Sequence, residues 1–121
     1  MFGMGIDLCE IKRFDRLKTN EHFLERVFTK VEIDYCLKRK SSSQCLAVRF
    51  AAKEAFAKAM GTGFTNGIHF DEIEIVNNDL GKPDIRLYGS TKERFDKLDL
   101  KKINISLSHE KNYAAAVVIV E

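Results

Sequence analysis

Long apolar runs are missing from this chain of 121 residues. None approaches the roughly 18 to 20 residues that a helix needs to cross a bilayer, so membrane insertion is not expected. The N-terminus, MFGMGIDLCEIKRF, has no basic leader and meets Asp7 too early for a signal peptide. The mature chain is therefore expected to begin at Met1. Cysteine is scarce: Cys9, Cys36 and Cys45 are odd in number and lack CxxC spacing. That pattern argues against a disulfide framework or a zinc site and for a reducing cytoplasm. The phosphate loop GxxxxGK[ST] and the nucleophile elbow GxSxG are both absent. His22, His69 and His109 share no metal-ligand spacing. A formal net charge of +2 is too small to mark a nucleic-acid binder, and neither an aromatic stacking platform nor a known reading motif accompanies it.

With 45% hydrophobic and 31% charged residues the chain reads as one soluble, globular domain over residues 1–121, with no internal repeat or long linker. KRKSSS at 38–43 is its only low-complexity stretch and reads as a loop. Phe2, Met4, Ile6 and Leu8 alternate with Gly3, Gly5 and Asp7, the period of a strand whose second face is nearly bare. Asp7 then stands where another element can approach closely. The period turns helical from Glu10 to Lys18, and short helices are expected over Glu21 to Val27 and, behind a Thr29–Glu32 capping box, to about Lys38. A long helix follows from about Ser43 to Met60, with Gly61 as its C-terminal glycine. Strands are expected at Phe70 to Val76, around Ile85 and Leu87, at Ile103 to Ser108 and at Tyr113 to Val120, the last buried on both faces. A helix near 91–98 is to start at a Ser90–Glu93 capping box. This order favours an α+β domain, an antiparallel sheet packed against the long helix.

The long helix reads RFAAKEAFAKAMGTG over 49–63 and distributes its charges unusually. Glu54 and Lys58 fall on one side, Arg49 and Lys53 nearly opposite, with alanines between, so no ordinary solvated face remains. Asp7 and Glu54, from distant parts of the chain, are the types and number of ligands with which Mg²⁺ is shared with a substrate phosphate. The plainer reading pairs Glu54 with Lys58 at i,i+4, worth about 0.3 to 0.5 kcal/mol. Arg49, Lys53 and Lys58 are candidate phosphate contacts. The Gly61-Thr62-Gly63 turn offers backbone N–H groups or a plain helix cap. In SLSHE, Ser108 and His109 point to opposite sides of a strand, the wrong geometry for a nucleophile and its base. His109 contacts an anionic ligand or occupies a turn. Lys12, Arg13 and Arg16 gather within about 100° of helical arc, either a solvated face or a docking surface for an acidic partner.

Five blocks, GIDLCEIKRF at 5–14, RVFTKVE at 26–32, RFAAKEAFAKAMGTG at 49–63, GKP at 81–83 and SLSHEKNYAAAVVI at 106–119, resemble the short bacterial holo-acyl carrier protein synthases, a branch of the phosphopantetheinyl transferases. The resemblance covers nearly the whole chain. It implies the transferase fold and transfer of the 4′-phosphopantetheine arm of coenzyme A to a serine of acyl carrier protein, with Mg²⁺, in support of fatty acid biosynthesis. Asp7 and Glu54 match the metal-binding carboxylates. Arg49 and Lys58 match basic positions associated with coenzyme A binding, His109 matches the histidine of the SLSHE-like block, and Gly61 and Ser108 are expected beside them at the coenzyme A site. Lys58 is to stabilise charge on the phosphates, and Glu54 is the preferred base. Lys12, Arg13 and Arg16 would meet the carrier protein. The resemblance further implies a homotrimer with active sites between subunits. A basic nucleic-acid module and a purely structural subunit are the competing classes; the latter leaves Asp7 on a glycine face unexplained.

Overall fold

The computed structural model describes residues 1–121. Its centre is a three-stranded antiparallel sheet in the order β1-β5-β4, formed by β1 (Gly3–Glu10), β4 (Ile103–His109) and β5 (Tyr113–Val120). Across it lies α4 (Ser42–Ala59), touching β1 and β5 most and β4 less. A hairpin of β2 (Ile73–Asn77) and β3 (Pro83–Leu87) makes a separate two-stranded sheet. Around them pack α1 (Phe14–Leu17), α2 (Glu21–Val27), α3 (Lys30–Leu37) and α5 (Gly89–Lys97).

The close seating of α4 on the sheet follows from small residues on both sides. All six alanines of α4 are buried, and a Cβ on Gly3 or Gly5 would strike the backbone of Ala59 or Ala55. The bare face of β1 is thus its inner face. Phe2, Met4, Ile6 and Leu8 point outward, with Ile6 and Leu8 at 65% and 68% exposure in the single chain. An aromatic row joins the small helices to α4: the Phe14 ring lies 5.7 Å from Phe50, Phe50 stacks on Phe70 at 5.5 Å, and Phe64 covers Phe70 at 3.7 Å. Full burial of a phenylalanine such as Phe14 contributes roughly 1.5 to 3 kcal/mol.

Several expectations are corrected. Helix does not begin at Glu10, because β1 stays paired to β5 through Glu10 opposite Tyr113; a 3-10 turn over Ile11–Arg13 then leads into α1. Strand β2 begins only at Ile73, after a 3-10 turn, and is buried on both faces because Glu74 receives hydrogen bonds from Thr29 Oγ1 and Tyr88 OH. The Thr29–Glu32 capping box is present. The Ser90–Glu93 box is not: α5 starts at Gly89, and the carboxylate of Glu72 accepts from the Ser90 and Thr91 amides instead. Those bonds outweigh burial and hold the Glu72 carboxyl below the usual carboxylate range. Strand β5 buries alternate residues only, since α4 covers one of its faces.

The cysteine reading also fails in part. Cys36 in the last turn of α3 and Cys45 in the first turn of α4 form a disulfide, their Cα atoms 5.4 Å apart. The two helices run together through a short turn, so residues nine apart meet without any sequence motif. Cysteine usage therefore no longer argues by itself for a reducing compartment. Cys9 remains a free, buried thiol. No helix is long and apolar enough to cross a membrane.

Candidate active site

Strand alternation and helix period bring three distant residues together. Asp7 shares the inner face of β1 with Gly3 and Gly5, and the missing side chains let α4 descend until Glu54 and Lys58 lie beside it. Lys58 Nζ donates to Asp7 Oδ1 at 3.1 Å and to the Ile6 carbonyl at 2.9 Å. The i,i+4 pair between Glu54 and Lys58 does not form; Lys58 reaches across to the strand. Burial pushes the Glu54 carboxyl upward, the nearby Asp7 charge adds to that, and Lys58 and Arg13 oppose it. The Cys9 thiol behind this cluster is pushed up to about 11, by burial first.

Two neighbouring carboxylates of like charge, one of them half-buried and lacking an ion-pair partner, suit a hard divalent cation. No third Asp, Glu, His or Cys joins them, so the remaining positions around such an ion would fall to water and substrate oxygens. The donor set therefore fits Mg²⁺ shared with a phosphate.

A second feature is a cavity of about 520 Å³ between α4, the end of α3, the β2–β3 turn and β4. Arg49 forms its wall. The residue is 5% exposed, and its guanidinium donates from Nη2 to Asn77 Oδ1 at 2.8 Å and lies 4.8 Å over the Tyr35 ring. It has no carboxylate partner, and its Nε is buried without any hydrogen bond. Burial lowers its pKa from the ordinary value. A desolvated cation with unspent donors at a cavity wall is a binding element for an anionic oxygen. His109 faces the same cavity, its Nδ1 3.0 Å from Gln44 Nε2.

The remaining candidates separate. Gly61 caps α4 at φ +87°, with open space where a Cβ would stand. Ser108 lies on the outward sheet face, away from the His109 cavity, as strand alternation dictates. Lys12, Arg13 and Arg16 stand on the 3-10 turn and α1, with Arg13 5.8 Å above the Phe50 ring. Lys53 is not available to a phosphate. It is fully buried and donates to Glu32 Oε1 at 2.7 Å, the Val27 carbonyl at 2.7 Å and the Phe70 carbonyl at 2.9 Å. Burial pushes its ammonium down, and Glu32 opposes that shift. The residue-level reading missed Tyr35, Arg39, Gln44 and Asn77, which line the cavity; the GKP block at its rim was the nearest signal.

On α4, Arg49 lies about 140° from Glu54 and about 180° from Lys58. The carboxylates and Lys58 consequently face the β1 side of the sheet, whereas Arg49 and the cavity belong to its β4 side. These are two half-sites on opposite flanks of one helix.

Residues 3–118 match the model of the 4′-phosphopantetheinyl transferase superfamily, and the chain belongs to that family. Within it, the similarity runs to one kind of enzyme. The chain is 46% identical to the holo-[acyl-carrier-protein] synthase of Geobacter metallireducens, across 100% of its own length and 98% of that protein. It is 43% identical to the synthase of Treponema denticola, over 100% and 98%. Among solved structures, the holo-[acyl-carrier-protein] synthase of Neisseria meningitidis superposes with a TM-score of 0.92 at 32% identity, covering 100% of this chain and 98% of that one. The Helicobacter pylori synthase in complex with coenzyme A gives 0.84 at 34%, covering 98% and 99%.

Proposed function

We propose that this protein is a holo-[acyl-carrier-protein] synthase, transferring 4′-phosphopantetheine from coenzyme A to a serine of apo acyl carrier protein and releasing adenosine 3′,5′-bisphosphate. Full-length identity to synthases supports it, as does a similar structure holding coenzyme A. The observation that carries the reading is the convergence of Asp7, Glu54 and Lys58 on a glycine-cleared strand face. The unit is one domain over 1–121, acting in the cytoplasm.

Asp7 and Glu54 would hold Mg²⁺, which supplies neutralisation of charge on the diphosphate when bound. Lys58 is 53% exposed and aimed at Asp7, so its ammonium can turn to a phosphate oxygen. The serine oxygen forms a bond to the β-phosphorus of coenzyme A, the bond to the bridging oxygen breaks, and adenosine 3′,5′-bisphosphate carries the electron pair away. Lys58 stabilises charge gathering on these oxygens. Glu54 is the carboxylate placed to take the serine proton, directly or through a water, and holding a cation at the same time would weaken it as a base. Arg49 and His109 hold the nucleotide end in the cavity.

Because the half-sites lie on opposite flanks of α4, one coenzyme A reaches both sets of residues only where two copies adjoin. We therefore place the active site between subunits of a homotrimer, joined through the outward face of β1, whose Met4, Ile6 and Leu8 are exposed in the isolated chain. Lys12, Arg13 and Arg16 would receive the acidic carrier protein beside the carboxylates.

Incubating the protein with apo acyl carrier protein, coenzyme A and Mg²⁺, then weighing the carrier by mass spectrometry, tests the assignment. One added phosphopantetheine is expected. A carrier of unchanged mass, with folded protein at ordinary Mg²⁺ concentrations, overturns it.

A further inference from the structure

The Cys36–Cys45 disulfide is used by nothing in the mechanism, yet it stands in the wall of the cavity assigned to the nucleotide. Its two sulfurs differ in access. Cys36 is wholly buried, whereas Cys45 keeps 7% exposure and lines the cavity. Cys45 Sγ also accepts a hydrogen bond from Arg49 Nη1 at 3.3 Å, and its carbonyl accepts from the same nitrogen at 3.4 Å. On the other side of the bond, Tyr35 precedes Cys36, lies under Arg49 and accepts from Arg39 Nη1 at 3.0 Å. The crosslink thus fastens the end of α3, with Tyr35 and the following turn that carries Arg39, to the α4 wall carrying Arg49 and Gln44.

We propose that Cys45 is a thiol–disulfide exchange site opening into the nucleotide cavity, and that the state of the Cys36–Cys45 bond sets affinity for the nucleotide end of coenzyme A. The co-reactant is a small thiol and its disulfide, a class that includes coenzyme A itself. In reduction, a small thiolate attacks Cys45 Sγ, the Cys36–Cys45 bond breaks, and Cys36 leaves as a thiolate that takes up a proton. A second small thiolate attacks the outer sulfur of the mixed disulfide and releases Cys45 as a thiolate beside the Arg49 guanidinium. The sum is one protein disulfide and two small thiols giving one protein dithiol and one small disulfide; oxidation is the reverse. A cytoplasmic disulfide is characteristically of this transient, sensing kind.

Crosslinking holds the two walls in their ligand-ready spacing, so it lowers the ordering cost of binding. Reduction frees the 38–41 turn between α3 and α4 and loosens Tyr35 and Arg39 relative to Arg49. Linkage requires reciprocity: if the bond tightens nucleotide binding by some factor, nucleotide favours the bond by the same factor.

The inference rests on the cavity being the nucleotide site, and the experiment separates the two ideas. Calorimetric titration with adenosine 3′,5′-bisphosphate is performed on the full chain, oxidised and reduced, and on Cys36→Ala/Cys45→Ala, below all melting midpoints. Roughly 5-fold weaker binding is expected for the reduced protein and for the double variant, which should ignore reductant. Equal affinity in both redox states overturns the proposal. Arg49→Ala serves as the control on the site: undiminished binding there overturns the cavity assignment, while lost binding with no redox effect overturns only the coupling. A second reading is taken on the oxidised native chain. It is exposed to glutathione, quenched with an alkylating reagent and mapped by peptide mass. The adduct is expected on Cys45, and its formation should slow when adenosine 3′,5′-bisphosphate saturates the cavity. An adduct on Cys36, or a rate indifferent to the nucleotide, counts against the proposal.

Discussion

Glu54 shows how one carboxylate is tuned by its setting. Its pKa is raised above the unfolded value, by burial and then by Asp7, so its contribution to stability is full below the ordinary carboxylate range and lost as pH rises through the folded value. Without divalent metal, Glu54→Gln is therefore expected to raise the melting temperature at pH 7, and the gain should vanish near pH 4; thermal melts in chelator across that window check it. Asp7→Ala and Glu54→Ala are each expected to remove most transfer while leaving a folded protein, which single-turnover assays and circular dichroism distinguish. Full activity at ordinary Mg²⁺ in either variant would sink the metal assignment. Arg13, on the basic 3-10 turn, lies over Phe50 and near Glu54. Arg13→Glu should raise the KM for acyl carrier protein far more than that for coenzyme A, with the wild-type KM rising with salt as screening shortens to roughly 8 to 10 Å. Steady-state kinetics with each substrate varied in turn decide this; an unchanged carrier KM would leave the basic face as solvated surface.

At the scale of elements, α4 is fixed on both flanks. On one it rests against the glycine face of β1; on another, Lys53 reaches into a pocket made by Val27, Glu32 and Phe70. Glu32 itself closes the α3 capping box, accepts from Lys53 and accepts from the Ile75 amide of β2. One buried carboxylate thereby joins α3, α4 and the hairpin. Removing its cation strands a charge in the interior, so Lys53→Met is expected to cost about 3 to 5 kcal/mol, measurable by urea unfolding. A loss below about 1 kcal/mol would show that water or another cation compensates. The sequence offers Lys53 as a candidate phosphate contact because helical phase reveals which residues share a side, not what that side meets. Its true partner lies 21 residues earlier, in another helix.

The molecule as a whole presents an outer sheet face that a solitary chain leaves wet. Phe2, Met4, Ile6 and Leu8 occupy one row of it, and exposed apolar rows of this kind mark association surfaces. Sedimentation equilibrium over a range of concentrations is expected to show a trimer. Leu8→Lys on the outer row should shift it toward monomer and depress transfer together, since each site would draw residues from two copies. A monomeric, fully active Leu8→Lys protein would refute the shared site.

What the sequence determined by itself was local or periodic. The alternation of β1, the Thr29 capping box, the long alanine-rich helix with its terminal glycine, and the α+β order all depend on neighbours within a few residues. The opposed placement of Arg49 and the Glu54–Lys58 pair was legible for the same reason, since it is set by helical period alone. The tertiary structure decided everything that depends on distant partners: Lys58 choosing Asp7 over Glu54, Lys53 and Glu32 going inside, Glu72 displacing the Ser90 cap, the disulfide, and a cavity assembled from α3, α4, the β2–β3 turn and β4. Charged and polar side chains are long and satisfy themselves with whichever partner the fold brings within about 3 Å. That choice is made only when the chain has closed on itself.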